Sequence, residues 1–298
     1  MSHNVLVSVS CITYNHGKFI KQCLDGFVMQ QTDFNFEVLI HDDASTDDTA
    51  EIIKEYQLKY PDLIKPIFQT INQYSLGVKR FNVKFNLPRA KGKYLAMCEG
   101  DDYWTDPLKL QKQVDALENN LDCNLCVHNT NVLRGDELMK KDWRIDSSKT
   151  VFTIFDYIYS LFFHTSSVLF RIYKNQKYIE NPNILQGDMA MFMSLINDKK
   201  VFFIEEEMSV YRLHEGGITN STLHKNRTIA YKSSLLLLEE FDAFSKGKFK
   251  FPIHLKKQMV WATLVKFDKK YGKIYKSLAQ VHYYAMKVLL LMYVKLKK

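Results

Sequence analysis

Three carboxylates stand within four positions of the chain, at Glu99, Asp101 and Asp102. They follow a short apolar run at residues 94–98, which is typical of a buried strand. Carboxylates this close repel one another and resist burial unless a cation lies among them. Hard divalent cations prefer carboxylate oxygens, so this acidic loop is a candidate metal site. The alternative is a solvated acidic turn without a ligand.

A second acidic loop follows another strand-like run. The apolar residues 36–40 precede His41-Asp42-Asp43-Ala44-Ser45-Thr46-Asp47-Asp48, and a helical pattern comes next. We expect Ser45 to cap that helix, because Asp48 stands three positions later, as in a capping box. In open parallel sheets, ligands bind outside the carboxyl ends of the strands. The two loops are therefore predicted to share one polar ligand.

Three motifs resemble those of the family 2 inverting glycosyltransferases with the GT-A fold, the bacterial surface-polysaccharide type. The family's opening strand and loop is matched by residues 7–15, its Asp-Asp-x-Ser-x-Asp loop by residues 42–47, and its DxD metal motif by residues 99–102. The resemblance is specific over residues 5–115 and extends more loosely to residue 217. Glu99 departs from the pattern, since the family usually has Asp there.

The resemblance implies a nucleotide-sugar donor, with UDP as the expected nucleotide. The residues that it places against the nucleotide are Thr13, Tyr14, Asn15, Asp42, Asp43 and Ser45. One of the two aspartates would accept a hydrogen bond from the base, and the other would lie near the ribose. The alternatives are that the second loop only caps the following helix and that Tyr14 is a packed aromatic.

The same resemblance implies a bound Mn²⁺ or Mg²⁺. The metal would neutralise the charge that develops on the diphosphate as the anomeric C–O bond breaks. Asp101 is the first candidate ligand, and Asp102 and Glu99 follow, with Gly100 beside the donor. The alternative for Asp102 is a turn or helix cap next to Tyr103.

Further candidates lie later in the chain. An inverting transfer needs a base for the acceptor hydroxyl, and Asp188 is the candidate, with a helix N-cap as the alternative. His214 resembles the C-terminal His that some members place on the metal or diphosphate, although a lone His is more often structural. Arg212 would add a phosphate contact. Residues 164–167 are expected to border the acceptor pocket.

Alternating periodicities predict an α/β fold with a mostly parallel, GT-A-like sheet flanked by helices. Strands are expected at residues 5–12, 36–41, 63–68, 94–98, 165–170, 201–204 and 208–213. Helices are expected at residues 19–28, after residue 45, at 80–90, from about Pro107, at 154–163 and at 187–197. Beyond residue 225 the pattern is helical throughout.

The composition is that of an ordinary globular protein. Hydrophobic residues make up 46% of the chain and charged residues 25%. No signal-peptide pattern opens the chain, and no apolar run approaches the roughly 20 residues of a spanning helix. The five cysteines are irregularly spaced, and Cys123-x-x-Cys126 has no second pair, so buried free thiols are expected rather than disulfides or zinc. These features predict a cytoplasmic protein.

Charge is distributed unevenly along the chain. Residues 225–298 contain 17 Lys or Arg and 4 Asp or Glu, a balance of +13, whereas residues 1–224 contain 24 basic and 29 acidic residues, a balance of −5. We therefore predict a GT-A domain over residues 1–224 and a basic helical extension over residues 225–298. A nucleic-acid partner is not expected, because the extension has no aromatic-basic motif with defined spacing.

The last helix of this extension allows two interpretations. Its apolar stripe consists of Ile274, Leu278, Val281, Ala285, Leu289 and Met292. The stripe either binds an anionic membrane surface, which would place the protein on the inner face of the cytoplasmic membrane, or packs against the rest of the protein while the lysines are solvated.

Taken together, the sequence predicts a metal-dependent inverting glycosyltransferase. It would move a single sugar from a nucleotide-sugar to a hydroxyl of a glycan or lipid-linked acceptor in cell-surface polysaccharide synthesis. The processive synthases' Gln-x-x-Arg-Trp motif is absent. A sugar nucleotidyltransferase would show a glycine-rich basic phosphate loop where residues 13–17 stand, and an inactive scaffold would have lost the carboxylates. Pocket shape, rather than any motif, selects the sugar and the acceptor.

Overall fold

The computed structural model describes residues 4–217, 226–267 and 271–296, and the chain divides into two compact units. The first unit consists of Met1–Val151, Phe163–Gln176 and Lys200–Leu213. The second consists of Phe152–Phe162, Lys177–Lys199 and His214–Lys298. The predicted domain boundary between residues 224 and 225 lies outside the described residues and stays a prediction.

A mixed sheet forms the first unit. Its strands are β1 (Val5–Thr13), β2 (Asn35–Asp42), β3 (Ile64–Phe68), β4 (Tyr94–Met97), β5 (Tyr103–Trp104), β6 (Cys123–Arg134), β7 (Glu137–Met139), β8 (Val151–Phe152), β9 (Leu169–Arg171) and β10 (Lys200–Leu213). The main path runs β3-β2-β1-β4-β9-β6-β10-β5, and β7 pairs with β6. β1, β2, β3 and β4 are mutually parallel, as are β6 and β10, whereas β9 and β5 are antiparallel to their neighbours.

Helices cover this sheet because their apolar residues recur at helical spacing. The first unit contains α1 (Gly17–Val28), α2 (Thr49–Lys59) and α3 (Lys109–Asn119). On α1 the buried residues Ile20, Leu24 and Phe27 pack into the same core as Val9 of β1 and Val38 of β2. The predicted α/β architecture, mostly parallel and flanked by helices, is confirmed.

The second unit is helical over most of its described residues. It contains α4 (Ile154–Tyr159), α5 (Gly187–Ile196), α6 (Arg227–Phe244), α7 (Lys250–Phe267) and α8 (Lys273–Leu296). Leu255 and Met259 of α7 pack with Leu290 and Val294 of α8 in a buried cluster. None of the helices in the described ranges has the length and apolar character that crossing a bilayer requires.

Several predicted boundaries are wrong for local reasons. α2 begins at Thr49 with Asp48 at its N-cap, and the Ser45 hydroxyl donates to Asp42 instead of capping the helix. The expected helix at residues 80–90 is only a π-helical turn, Asn82–Asn86, followed by a 3₁₀ turn that contains Pro88. Proline lacks an amide hydrogen and disfavours helical geometry before it, so a regular helix does not continue there.

Later segments also differ from expectation. The helix predicted to reach residue 163 ends at Tyr159, and the strand predicted from residue 165 begins as a 3₁₀ turn and is extended only over Leu169–Arg171. The two short strands expected at residues 201–213 form one strand, β10, whose register against β6 shifts near Glu207. An irregularity of this kind lets a single strand bend without ending.

Candidate active site at the carboxyl edge of the sheet

The loops that follow β1 and β2 are joined at the carboxyl edge of the first unit. Thr13 pairs with Asp42 at the ends of the two strands. The Asn15 amide donates to Ser45 Oγ at 2.9 Å, and the Thr46 amide donates to Asn15 Oδ1 at 2.8 Å. Asn15 and Ala44 both adopt left-handed backbone angles, with φ of 53° and 61°. Such strain persists only where surrounding contacts determine it, and it concentrates at functional sites.

The two aspartates after β2 have different partners. Asp42 is buried and accepts hydrogen bonds from the hydroxyl and the amide of Ser45, while burial raises the pKa of its carboxyl. The Asp43 carboxylate accepts from the amides of Gln73 and Tyr74 at 2.8 and 3.0 Å. Asp43 therefore orders the loop that follows β3. In the same region Tyr14 is 43% exposed, which leaves its ring accessible to a ligand.

A close approach joins the loop after β4 to the end of β1. The Gly100 amide donates to Ile12 O at 3.0 Å. A Cβ at Gly100 would lie 2.5 Å from Thr13 Oγ1 and 3.0 Å from His16 Nδ1. Only glycine fits at that distance without a shift of its neighbours. Gly100 thereby brings Asp101 to the same edge as Thr13.

Asp101 and Asp102 point into different surroundings. The Asp101 side chain is 14% exposed, and its Oδ2 lies 3.7 Å from His16 Nε2. The Asp102 side chain is 2% exposed, and it accepts the Arg212 amide at 2.9 Å. Burial, together with the neighbouring Asp101 charge, raises the pKa of Asp102 well above its usual value. Glu99, in the same loop, lies at the surface.

Arg212 fastens the end of β10 to this loop. Its guanidinium donates to Asp101 O at 2.7 Å and to the Gln22 side-chain oxygen, and it lies 4.4 Å from the centre of the Tyr103 ring. Asp102 thus holds the backbone of β10 rather than capping a helix or turn. The predicted phosphate contact of Arg212 stays a prediction.

An aromatic wall borders Asp102 on the β10 side; it consists of Trp143, His164 and Tyr211. His164 Nδ1 lies 3.8 Å from Asp102 Oδ2, and its ring stacks on Tyr211 with centroids 4.1 Å apart. Burial lowers the pKa of His164 to about 4, so the ring is neutral at physiological pH. The Trp143 ring lies 6.0 Å from His164 and donates to Thr130 O at 2.6 Å.

The remaining two predicted residues belong to the second unit. Asp188 lies in the first turn of α5, but Gln186 occupies the N-cap, and Asp188 adds to the effect of burial in raising the pKa of the buried Tyr157. The N-cap alternative for Asp188 is therefore wrong. His214 directly follows the last residue of β10. Neither placement tests the predicted roles.

Sequence reasoning missed His16 and Trp143 as site residues. His16 comes one position after the predicted Thr13-Tyr14-Asn15 stretch, and Trp143 lies in a loop that matches no motif. The only available signal for His16 was its place after a strand end on the predicted ligand edge. Trp143 gave none, because it reaches His164 through the tertiary fold alone.

Comparison with known proteins identifies the family. The model of glycosyl transferase family 2 matches residues 8–198. An uncharacterized protein of Mycobacterium tuberculosis (strain ATCC 25618 / H37Rv) is 38% identical over 227 residues, which cover 74% of this chain and 62% of that protein. The chain therefore spans less than two thirds of the length of this relative.

Two solved structures have the same fold. Staphylococcus aureus TarS 1-349 in complex with UDP-GlcNAc gives a TM-score of 0.62 at 16% identity. The match covers 99% of this chain and 93% of the TarS chain. The mannosyltransferase PcManGT from Pyrobaculum calidifontis, in complex with GDP-Man and Mn²⁺, gives a TM-score of 0.58 at 15% identity. The match covers 100% of this chain and 89% of PcManGT. Because the family model matches more than half of its length, the chain belongs to glycosyl transferase family 2.

Proposed function

We propose that this chain transfers one sugar from a nucleotide-sugar, most simply a UDP-sugar, to an acceptor hydroxyl with inversion at the anomeric carbon. The observation that supports this best is the junction of the two acidic loops, where Gly100 lies against Thr13 and β1 ends beside Asp42. A nucleotide-sugar has the base and ribose at one end and the sugar at the other, with the charged diphosphate between them. Two acidic loops at one sheet edge suit this ligand, because one loop can hydrogen-bond the nucleoside and the other can hold a cation against the diphosphate.

The nucleotide is assigned to the loops after β1 and β2. The exposed Tyr14 ring offers a stacking face, and the Asn15–Ser45 contact holds both loops in place. Asp42 and Asp43 are proposed to lie against the base and the ribose. TarS, which shares the fold, has been solved with UDP-GlcNAc, and PcManGT with GDP-Man, so the fold accommodates donors of more than one base.

The loop after β4 is proposed to hold Mn²⁺ or Mg²⁺. Asp101 is the first ligand, and the nearby His16 adds an imidazole, a donor set that suits Mn²⁺ better than Mg²⁺. Glu99, Asp102 and His214 remain the further proposed ligands. When bound, the metal supplies positive charge to the diphosphate leaving group. PcManGT, which shares the fold, contains Mn²⁺.

Asp188 is the proposed base. The acceptor oxygen forms a bond to the anomeric carbon, the bond from that carbon to the diphosphate oxygen breaks, and the hydroxyl proton passes to the Asp188 carboxylate. The nucleoside diphosphate leaves with the bonding electron pair. The acceptor is proposed to be a hydroxyl of a glycan or a lipid-linked sugar in surface-polysaccharide synthesis, with the protein in the cytoplasm or on the inner membrane face.

Calorimetric titration with UDP, GDP and dTDP, each with and without Mn²⁺, tests the proposal. We expect UDP to bind at least about tenfold more tightly with Mn²⁺, because the metal screens the diphosphate charge. Asp101→Ala should remove the Mn²⁺ effect, and His16→Ala should weaken it. Asp115→Ala, an exposed aspartate on α3, is the control and should change nothing. Equal binding of UDP with and without Mn²⁺ would contradict the metal site, and absent nucleotide binding would contradict the function.

A further inference from the structure

Helix α8 has two apolar faces, and only one of them is packed. Leu290 and Val294 are buried against Leu255 and Met259 of α7. The opposite side, which we name the outer face of α8, consists of Ile274, Leu278, Val281, Val288, Leu289 and Met292. The stripe predicted from the sequence is therefore not the packed one. The residues of that stripe are exposed in the structure, and the choice between its two interpretations stays a prediction.

The outer face is large and continuous. Together with the exposed Ala285, which fills the gap after Val281, apolar residues on this side recur every three or four positions over most of the 24 residues of α8. The exposed fractions of the outer-face residues run from 45% at Leu289 to 76% at Ile274. Trp261 of α7, 48% exposed, extends it, because its ring meets His282 of α8. Proteins rarely leave so long an apolar stripe in water, and such surfaces commonly bind a partner or a membrane.

Charge identifies the partner. α7 and α8 contain no Asp or Glu and eight lysines: Lys250, Lys256, Lys257, Lys266, Lys273, Lys276, Lys287 and Lys295. Lys273 and Lys295 are exposed and lie roughly 70 to 110° around the helix from the middle of the outer face. An apolar stripe bordered by lysines is the pattern of helices that lie in a membrane interface. Two copies of such a surface would repel each other, so charge disfavours self-association.

We propose that the outer face of α8, with Trp261, docks on an anionic lipid bilayer. The helix lies parallel to the membrane, its outer-face side chains enter the boundary between headgroups and acyl chains, and Lys273 and Lys295 remain among the anionic headgroups. The inference rests on the proposed function in one respect only: docking would bring the enzyme to the plane in which a lipid-linked acceptor lies. Docking itself needs neither donor nor acceptor.

Vesicle flotation of the full chain tests the docking. Vesicles of phosphatidylcholine with about 40% phosphatidylglycerol, whose anionic surface attracts nearby lysines, are compared with pure phosphatidylcholine at low and high salt. We expect binding to the anionic vesicles only, and a clear loss at high salt, because screening weakens lysine–headgroup attraction. Equal binding to both vesicle types, or no binding to either, would overturn the proposal.

Matched variants locate the surface. The triple variant Leu278→Gln, Leu289→Gln and Met292→Gln should reduce vesicle binding at least about tenfold, and Lys273→Gln with Lys295→Gln should reduce it less. The control replaces three exposed leucines of the first unit, Leu58→Gln, Leu121→Gln and Leu138→Gln, and should bind as the wild type does. If the control loses binding equally, or the outer-face variant keeps it, the outer face is not the docking surface.

Two further measurements separate the competing explanations. Trp261 is the most exposed of the three tryptophans, so its fluorescence should shift to the blue on vesicles, and Trp261→Phe should remove that shift. Sedimentation without lipid should show the same mass for the wild type and the outer-face variant. A wild-type dimer that the variant dissociates would assign the face to a second copy instead. UDP titration of the outer-face variant should be normal, so failure of docking and failure of nucleotide binding are distinguishable.

Discussion

The two units place their charges in opposite ways. In the first unit the carboxylates lie in loops at strand ends, where backbone contacts and hydrogen bonds hold them, as Asp43 is held by two amides. In the second unit the lysines of α7 and α8 lie along helix surfaces, and α8 leaves more than half of its apolar residues exposed. The first arrangement suits a small ligand, and the second suits an extended one.

This difference follows from the secondary structure. A strand end delivers consecutive loop residues to one edge, so a few residues converge on a point. A helix distributes its residues over 360° at 100° per residue, so a sequence that is apolar on two sides cannot bury both against one neighbour. Under the proposed function and the proposed docking, the first unit would hold the donor, and the second, apart from Asp188, would set the location of the protein.

Replacing Asp188 is the most severe test of this division, because it is an acid in the lysine-rich unit. Asp188→Asn should lower turnover by about 10² to 10⁴, the usual contribution of general acid–base catalysis, while nucleotide-sugar binding stays near normal. Steady-state kinetics and calorimetry with the same donor measure both quantities. Asp198→Asn, which removes an equal charge from an exposed ion pair with Lys248, is the control. Unchanged turnover in Asp188→Asn would confine the chemistry to the first unit.

Neighbouring leucines on α8 sharpen the contrast between its packed and outer faces. Leu290 is fully buried and Leu289 is 45% exposed. Leu290→Ala should lower the free energy of unfolding by about 2 to 5 kcal/mol, since it leaves a cavity in the α7–α8 cluster. Leu289→Ala should change it by less than about 0.5 kcal/mol. Urea denaturation of both variants measures the difference, and equal losses would mean that the outer face is packed in solution.

A buried lysine in the first unit contrasts with the exposed lysines of the second. Lys109 donates to Gln113 and lies over the Trp104 ring, and burial lowers its pKa from the usual 10.5 to about 7. Between about pH 7 and 10.5 the unfolded chain holds a proton that the folded chain lacks. Folding stability should therefore rise with pH across this window, by at most about 1.4 kcal/mol per pH unit.

Lys109→Met should remove this pH dependence. It should also raise the free energy of unfolding at pH 7, because burying the Lys109 amine opposes folding there. Urea denaturation at several pH values across the window, with Lys18→Met at an exposed position as control, measures the change. Lys18→Met should keep the slope, and a slope that survives in Lys109→Met would mean that another group causes it.

Much of the first unit was predictable, because local patterns and the sheet agree there. β1, β2, β3 and β4 follow from apolar runs, and the acidic loops follow from their ends. Ser45 was misassigned as a helix cap because Asp42, three positions earlier, competes for its hydroxyl. The shortened helix at Ile154–Tyr159 and the single strand β10 depend on neighbours distant in sequence, which periodicity does not reveal.

The sequence by itself determined that acidic loops end parallel strands, because apolar runs and turn residues act over a few positions. It also determined that the last helix is apolar and basic. Only the tertiary structure decided that His16 lies beside Asp101, that Trp143 and His164 border Asp102, and that α8 buries Leu290 while exposing Leu289. These outcomes depend on which elements pack together. On α8, two faces are almost equally apolar in sequence, and only the contacts with α7 determine which of them is buried.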